Sequence, residues 1–382
     1  MNKINLKRIK EDWMNLLFLN EDEQTEEICL EAVRRNGNAL QYVKNQTEKI
    51  CLEAMKWSGN VLKYVETQTE ELCLMAVKHD GMILKIVENQ TENICLEAVK
   101  QNGNALKYVK NQTDEICLEA IKNDGKSLKY VENQTDEICL IAVKKFGCAL
   151  EFVNNQTEEI CIEAMRENGF ALEFVENQTD KICLEAIRQN GLALEFVKNQ
   201  TEEICLEAIE QDVCAIEHVE IQTEKICLKA VKQDGMMLEM VENQTEEICL
   251  EAVKNDGLAL QFVKNQTEKI CRDAIKQNEY ALQYAEKQTN EICLYALKQT
   301  EHILDYIRNQ TIEICLEAVK RDGLALQFVK NQTEKNCLNA VEQNEIYAYN
   351  CKMNGLKYNY YVNHSSIVKR FTNDKYLKNV LF

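Results

Sequence analysis

Residues 243–264 read NQTEEICLEAVKNDGLALQFVK, and this stretch decides the fold because close copies of it recur every 22 residues. Fifteen copies follow one another without an insertion, so repeat n begins at residue 22n + 1. One cysteine marks each copy, giving the series Cys29, Cys51, Cys73, Cys95, Cys117, Cys139, Cys161, Cys183, Cys205, Cys227, Cys249, Cys271, Cys293, Cys315 and Cys337. Such strict repetition is typical of solenoids, in which each repeat packs against its neighbours.

Each copy predicts two short helices. Counting Asn243 as position 1, four positions are identical in all fifteen copies: Gln at position 2, Thr at 3, Cys at 7 and Ala at 10. The threonine is a good N-cap, and positions 6, 7, 10 and 11 form an apolar stripe on the first helix. Glycine at position 15 predicts a left-handed end to that helix, with position 16 contacting position 11. A second helix is predicted over positions 16–22, closed by the asparagine that follows.

These patterns predict an all-α fold, an α-solenoid of about fifteen 22-residue helix-turn-helix repeats over residues 23–345. Residues 1–22 are predicted to form an N-terminal capping helix, in which Trp13, Leu16, Leu17 and Phe18 cover the first repeat. Residues 346–382 are interpreted as a degenerate last repeat and a tyrosine-rich tail, with NGLKY at 354–358 as a trace of a sixteenth copy. This tail is basic, since it holds six lysines and arginines and one aspartate.

Composition restricts the function classes. The chain has 45 basic and 63 acidic residues, a net charge of −18, no proline and 12 glycines. Duplex nucleic acid and anionic membranes select clustered basic residues, so nucleic acid is an unlikely partner of the repeats and no membrane contact is expected. The apolar patch at 13–19 is too short for a signal peptide, and no stretch approaches a membrane span. We expect a cytoplasmic protein, located in the host cytosol or in a virion if viral.

The repeated cysteine and the Asn-Gln-Thr triplet each allow a chemical and a structural interpretation. Neighbouring repeat helices lie about 9–10 Å apart, too far for a disulfide, and a 22-residue spacing does not converge on a metal. We therefore expect buried, unpaired thiols at position 7, with Cys148, Cys214 and Cys351 more reactive. The triplet fits a glycosylation site, which would matter only in a secreted protein; turn and capping roles are favoured.

Two further recurrent positions could be recognition surfaces. Glutamine at position 2 is predicted to bond the backbone of the next repeat rather than a ligand. Position 20 is aromatic in eleven copies. Stacked aromatics can bind bases, but such platforms accompany basic grooves, so packing in or near the core is predicted. The four histidines fall at unrelated repeat positions, and no cofactor, metal or catalytic motif is recognised, so the chain is not expected to be an enzyme.

Departures from the repeat are the candidates for function. Position 16 is mostly polar in the first five copies and mostly apolar afterwards. This change is consistent with a helix-end contact, or with an apolar stripe that binds a partner. The candidate partner stripe comprises Phe170, Leu192, Met236, Leu258, Tyr280, His302 and Leu324. Glycine is also missing from position 15 at Val213, Glu279, Glu301 and Glu345, and the superhelix is predicted to bend near repeats 9 and 12–13.

The turn and second helix resemble a known family. The segment from Ala252 to Val263, AVKNDGLALQFV, is similar to the helical repeats catalogued as domain of unknown function 4116, which are abundant in giant viruses of amoebae and in amoeba-associated bacteria. The resemblance covers roughly residues 23–345. It implies an α-solenoid of giant-virus or amoebal context, and it implies no activity.

The leading prediction is therefore a non-enzymatic scaffold that binds a protein partner along a repetitive surface. The alternative is a self-associating structural protein, of virion type, whose basic C-terminal tail docks on the acidic repeats of another copy. Nucleic-acid binding through the tail alone is a weaker third possibility.

Overall fold

A computed structural model describes residues 2–331, 350–353 and 356–359, with side chains for 3–300, 302–322 and 325–331. Within these residues the chain alternates regularly between one α-helix and one 3-10 helix. α-Helices of successive repeats pack side by side, and 3-10 helices pack side by side against them. This two-layer arrangement confirms the predicted α-solenoid.

The α-helix of each repeat occupies positions 4–13, except in repeat 2, where it ends at position 11. In chain order the α-helices are Asn2–Glu11, Glu26–Arg35, Glu48–Met55, Glu70–His79, Glu92–Gln101, Asp114–Asn123, Asp136–Lys145, Glu158–Glu167, Asp180–Gln189, Glu202–Gln211, Glu224–Gln233, Glu246–Asn255, Glu268–Gln277, Asn290–Gln299 and Ile312–Arg321.

The 3-10 helix of each repeat occupies positions 15–20. In chain order the 3-10 helices are Trp13–Phe18, Glu21–Glu23, Gly37–Tyr42, Gly59–Tyr64, Gly81–Ile86, Gly103–Tyr108, Gly125–Tyr130, Gly147–Phe152, Gly169–Phe174, Gly191–Phe196, Val213–His218, Gly235–Met240, Gly257–Phe262, Glu279–Tyr284, Glu301–Tyr306 and Gly323–Phe328.

The chain divides into two compact units, which are described separately. The N-terminal unit contains residues 1–199 and the C-terminal unit contains residues 200–382. Both have the same core. In repeat 11, for example, Ile248, Cys249, Ala252 and Val253 from the α-helix are buried. The predicted apolar stripe is therefore confirmed, and Ala259, Leu260 and Val263 complete the core from the 3-10 segment.

Capping explains where the α-helix begins. The Thr245 hydroxyl accepts a hydrogen bond from the Ile248 N–H at 3.3 Å, and Glu246 follows in the first turn. The threonine thus satisfies one of the otherwise unpaired N–H groups of the helix end, as predicted. The helix ends where Asp256 takes an extended conformation, with φ −136° and ψ 115°.

The second helix differs from the prediction. It is a 3-10 helix over positions 15–20 rather than a helix over positions 16–22, and its C-cap in repeat 11 is Val263. Asp256 has two roles, because its side chain also accepts from the Leu258 N–H at 2.9 Å and caps the 3-10 helix. Position 16 therefore lies inside the 3-10 helix, and its predicted contact with position 11 stays a prediction.

Glycine at position 15 is required by a close approach and not by a left-handed backbone. Gly103 does not adopt positive φ, so the predicted left-handed helix end is wrong. A Cβ atom added to Gly103 would lie 2.5 Å from the carbonyl oxygen of Ala120 in the next repeat. The glycine and the invariant alanine therefore meet at one contact between repeats, where two backbones touch.

Repeats without this glycine pack more loosely. The 3-10 helices that start with Val213, Glu279 and Glu301 lie less closely against the α-helix that follows them. The 3-10 helices that start with Gly235 and Gly257 lie closer to theirs. A side chain at position 15 cannot fit against the carbonyl of the next helix, so the backbones separate. Glu345 lies outside the described residues, and the bend at these repeats stays a prediction.

The N-terminal segment is itself a divergent repeat rather than a single capping helix. Its α-helix, Asn2–Glu11, is followed by the 3-10 helix Trp13–Phe18, which Asp12 caps. Of the four predicted covering residues, only Leu16 is buried; Leu17 and Phe18 are exposed. Trp13 is half-buried and stacks on Tyr42, with ring centroids 6.4 Å apart.

The C-terminal region contains a β-hairpin that the repeat pattern did not predict. Strand β1, Asn350–Met353, pairs antiparallel with strand β2, Leu356–Asn359. The residues of β2 include part of the predicted sixteenth copy, in which they would be helical. The remainder of the predicted tail, at 346–382, lies outside the described residues.

Candidate functional site

Glutamine at position 2 joins neighbouring repeats. The Gln244 Nε2 donates to the carbonyl of Leu238 in the preceding repeat at 3.2 Å and to that of Phe262 in its own repeat at 2.9 Å. Its Oε1 accepts from the Lys264 N–H at 2.9 Å. The predicted backbone bonding is confirmed, but the prediction named the next repeat, whereas the bond between repeats goes to the preceding one. Both the oxygen and the nitrogen of the Gln244 side-chain amide are therefore used in hydrogen bonds to the protein backbone.

The repeat cysteines are buried and unpaired. In each repeat from the first to the fourteenth the cysteine at position 7 is buried, as predicted. The thiol of Cys249 donates to the Gln244 Oε1 at 3.7 Å. Burial raises the pKa of eight such thiols to about 11: Cys29, Cys51, Cys117, Cys139, Cys161, Cys183, Cys205 and Cys293. A raised pKa disfavours the reactive thiolate.

The three outlying cysteines differ from this series. Cys148 is half-buried and Cys214 is exposed, so both are more accessible than the repeat thiols. The side chain of Cys351 and the whole of Cys337 lie outside the described residues. Over the described part of the chain, no group of three or more His, Cys, Asp or Glu side chains is arranged to hold a metal ion.

A second bond between repeats has no counterpart among the sequence predictions. The Asn255 Oδ1 accepts from the N–H of Gly235 in the preceding repeat at 2.8 Å, and its Nδ2 donates to the Lys232 carbonyl at 2.8 Å. Gln101 and Gln277 make the same bond to Gly81 and Gly257. The recurrence of Asn or Gln at position 13 was the available signal.

The outer face of the α-helical layer is paired in charge. Position 9 is commonly Glu and position 12 commonly Lys or Arg. Arg166 bridges Glu163 of its own repeat and Glu185 of the next. The hydrogen bonds that the Arg166 guanidinium donates to Glu185 and Glu163 raise its pKa. These ion pairs partly neutralise the charges at positions 9 and 12, whereas positions 4 and 5 remain mostly acidic.

The candidate partner stripe lies on the outer surface of the 3-10 layer. Phe170 and Tyr280 are 37% and 40% exposed, and Leu192, Met236 and Leu258 are half-buried. His302 is exposed, and the side chain of Leu324 lies outside the described residues. The structure thus places six of the seven residues at one equivalent surface position, four of them in the C-terminal unit.

Aromatic rings extend this stripe across repeats. Phe170 contacts Phe196 of the next repeat edge to face, with centroids 6.0 Å apart. Tyr280 contacts Tyr306 in the same way at 5.5 Å. Position 20 is half-buried in ten of its eleven aromatic repeats and exposed only at Tyr306, so the prediction of packing near the core is confirmed. Positions 16 and 20 together form a row of apolar side chains that is partly open to solvent.

The fold and its surface define a class of protein, the α-solenoid repeat proteins. In this chain the class is recognised from two layers of short helices, hydrogen bonds between repeats at positions 2 and 13, and surface side chains that recur at the same repeat position. No helix of the described residues combines the length and apolarity needed to cross a membrane.

The chain belongs to the family described as Domain of unknown function (DUF4116). Matches to this family fall at residues 25–69, 69–114, 91–135, 113–156, 135–180, 157–200, 179–222 and 223–267. From residue 69 to residue 179 the starting points are 22 residues apart, so each match spans two structural repeats and begins at the N-cap region of one. The resemblance noted from the turn sequence is therefore confirmed. A search of curated proteins found no match.

Proposed function

We propose that this chain is a non-catalytic scaffold that binds another protein along the candidate partner stripe. The observation that supports it most is the set of partly open apolar side chains at positions 16 and 20, which recur at equivalent positions of successive repeats within each unit. A partly exposed apolar row of this kind favours a protein partner, and aromatic residues are enriched in the centres of protein interfaces.

Absence of catalysis is part of this proposal. The recurrent residues that could carry chemistry each have a structural role. The threonine caps a helix, the glutamine and asparagine join repeats, and the thiol is buried with a raised pKa. Packing, capping and hydrogen bonding thus explain why these residues recur in every repeat of this chain. The family resemblance supports a giant-virus or amoebal context, and we place the protein in the host cytosol or the virion.

The test is affinity capture of the full chain from its native host cell, with stripe variants. We expect the captured partner to be lost with Met236→Lys, Leu258→Lys and Tyr280→Lys combined. The matched control is Ile221→Lys with Ile312→Lys, because both side chains are more exposed, at 76% and 65%, and lie outside the stripe. Equal capture by both sets of variants would contradict the proposal, provided that circular dichroism shows both to be folded.

A further inference from the structure

A row of lysines runs along one part of the 3-10 layer of this acidic chain. Positions 16 and 19 of a 3-10 helix are three residues apart and lie one above the other, so they form a single outward ridge. In repeats 2 to 5, position 19 is Lys63, Lys85, Lys107 and Lys129, and all four are exposed. Lys126 at position 16 adds a fifth positive charge.

The charge of this ridge reverses abruptly between repeats 5 and 6. Position 19 becomes Glu151, Glu173 and Glu195 in repeats 6 to 8, and all three are exposed. Every repeat in this half of the ridge has the same 22-residue length, so the spacing of the glutamates equals that of the lysines. The reversal therefore creates two rows of opposite sign and equal spacing.

These charges are not neutralised inside the molecule. Among the described residues, none of the lysines at position 19 in repeats 2 to 5 and none of the glutamates in repeats 6 to 8 appears in an ion pair, whereas Lys100 and Lys122 of the α-helical layer do. Three of the four lysines instead lie over the tyrosine that follows each of them, and the Lys129 Nζ is 4.8 Å from that ring centre. Asp80 and Asp124, which begin two of these helices, accept hydrogen bonds from backbone N–H groups.

We propose that the ridge over repeats 3 to 8 is a self-complementary interface that pairs two copies of this chain antiparallel. A two-fold axis between repeats 5 and 6 sets Lys129 opposite Glu151 of the second copy, Lys107 opposite its Glu173, and Lys85 opposite its Glu195. Two-fold symmetry makes each of these contacts twice, giving six opposite-charge pairs. Within repeats 3 to 8, sliding by one repeat leaves four opposite-charge pairs and sets one charged residue against its own copy on the two-fold axis, so the charge reversal favours this register. Glu217 and Glu239 continue the glutamate row in the C-terminal unit and are not counted in these pairs.

One of the three facing pairs at position 16 is apolar on both sides in this register, whereas Phe170 faces Asn104 and Cys148 faces Lys126. Met82 at position 16 of repeat 3 faces Leu192 of repeat 8 in the second copy, and both are half-buried in the single chain. Six repeats at about 10 Å spacing, with 3-10 helices about 12 Å long, present roughly 700 Å² per copy. A specific protein interface buries about 800 Å² per partner, so the ridge approaches the area that a dimer of modest affinity needs.

This pairing goes beyond the proposed scaffold function and does not depend on it. It uses repeats 3 to 8 of the N-terminal unit, so it shares Phe170 and Leu192 with the candidate partner stripe and leaves Met236, Leu258 and Tyr280 unused. It also differs from docking through the basic C-terminal tail.

The experiment measures the mass of the full chain by size-exclusion chromatography with light scattering and by sedimentation. Variant A carries Lys85→Glu, Lys107→Glu and Lys129→Glu, and variant B carries Glu151→Lys, Glu173→Lys and Glu195→Lys. We expect wild type to be a dimer at low salt whose dissociation constant rises about tenfold or more at high salt, because exposed ion pairs are screened. Variants A and B each set like charges against one another, and on the order of 100-fold weaker association is expected.

Mixing the variants gives the sharpest result. Variant A has two negative rows and variant B two positive rows, so an equimolar mixture restores all six pairs and is expected to form a heterodimer. The matched control reverses three lysines of the α-helical layer in the same repeats, Lys78→Glu, Lys100→Glu and Lys122→Glu, and is expected to remain dimeric. Unchanged melting curves establish that every variant is folded.

Three outcomes would overturn the pairing. The first is a wild-type monomer at all salt and protein concentrations, even if the lysine row retains an oligonucleotide. The second is a mixture of A and B that stays monomeric. The third is a dimer that survives both reversals and is lost when residues 346–382 are removed, which would assign self-association to the tail.

Discussion

Replacing Gly103 with alanine tests the close contact that sets the spacing of the repeats. The new Cβ would lie 2.5 Å from the Ala120 carbonyl oxygen and 2.6 Å from the Ser127 Oγ. Both are far shorter than a van der Waals contact, and the carbonyl belongs to a helix that cannot yield locally. Because Gly103 has no positive φ, the substitution causes no backbone strain, and the clash alone opposes folding.

The magnitude follows from two opposing effects. Overpacking of this kind destabilises by about 1–3 kcal/mol. Alanine also restricts the unfolded chain, which stabilises the protein by about 0.4–1 kcal/mol. We expect Gly103→Ala to lower the free energy of unfolding by about 2 kcal/mol, measured by urea denaturation. Hydrogen exchange should show the lost protection concentrated in repeats 4 and 5, since solenoid repeats couple to their neighbours.

Other glycines provide a graded control for this prediction. The distance from the added Cβ to the facing alanine carbonyl rises from 2.5 Å at Gly103 to 2.7 Å at Gly147 and 3.0 Å at Gly125. The loss of stability should decrease in the same order, although Gly125→Ala should still destabilise because its added Cβ would lie 2.9 Å from the Phe146 Cβ. Equal stability across the three variants, or a gain in stability at Gly103, would refute the close-contact explanation. Glycine at position 15 would then be explained by chain flexibility.

Three further predictions concern the hydrogen bonds between repeats and the cysteine thiols. Gln244→Ala leaves backbone groups of Phe262 and Lys264 unpaired and should destabilise by about 1–3 kcal/mol in urea titration, whereas Gln261→Ala, an exposed glutamine, should change little. Cys214 should react with Ellman's reagent in the folded protein, although desolvation and the nearby Asp212 raise its pKa and slow the reaction, while the repeat thiols react only in denaturant; equal rates would contradict their burial. The thiols with pKa values near 11 favour the neutral form in the folded state, so their contribution to the stability of the folded protein is fully present below about pH 8.5. This contribution is lost as the pH rises towards 11, and a constant urea midpoint over that range would contradict the prediction.

The α-helical layer and the core could be predicted from the sequence alone. Threonine at position 3 and the apolar spacing at 6, 7, 10 and 11 act within one helix, over a few residues, so the signal is local and repeats fourteen times in the described chain. The same holds for the burial of the cysteine, which follows from its place in the apolar stripe. Repetition at a constant period then required neighbouring units to stack.

What the sequence did not reveal were the atoms that meet in the contacts between repeats. The glycine faces an alanine carbonyl 17 residues later, and the glutamine bonds a carbonyl six residues earlier, in the preceding repeat. Both are through-space contacts that local propensity cannot describe, so the glycine was given a left-handed role and the glutamine the wrong neighbour.

The two candidate surfaces also differ in whether the sequence alone could identify them. Sequence alone identified the apolar change at position 16, because it is a departure from a repeated residue type. It did not identify the lysine and glutamate rows, since charges at position 19 resemble ordinary solvent-exposed residues when the repeats are aligned. The tertiary structure aligned positions 16 and 19 on one ridge, because a 3-10 helix has three residues per turn. Within the part of the chain that the structure describes, it also left the charges of repeats 2 to 8 at position 19 without an ion pair.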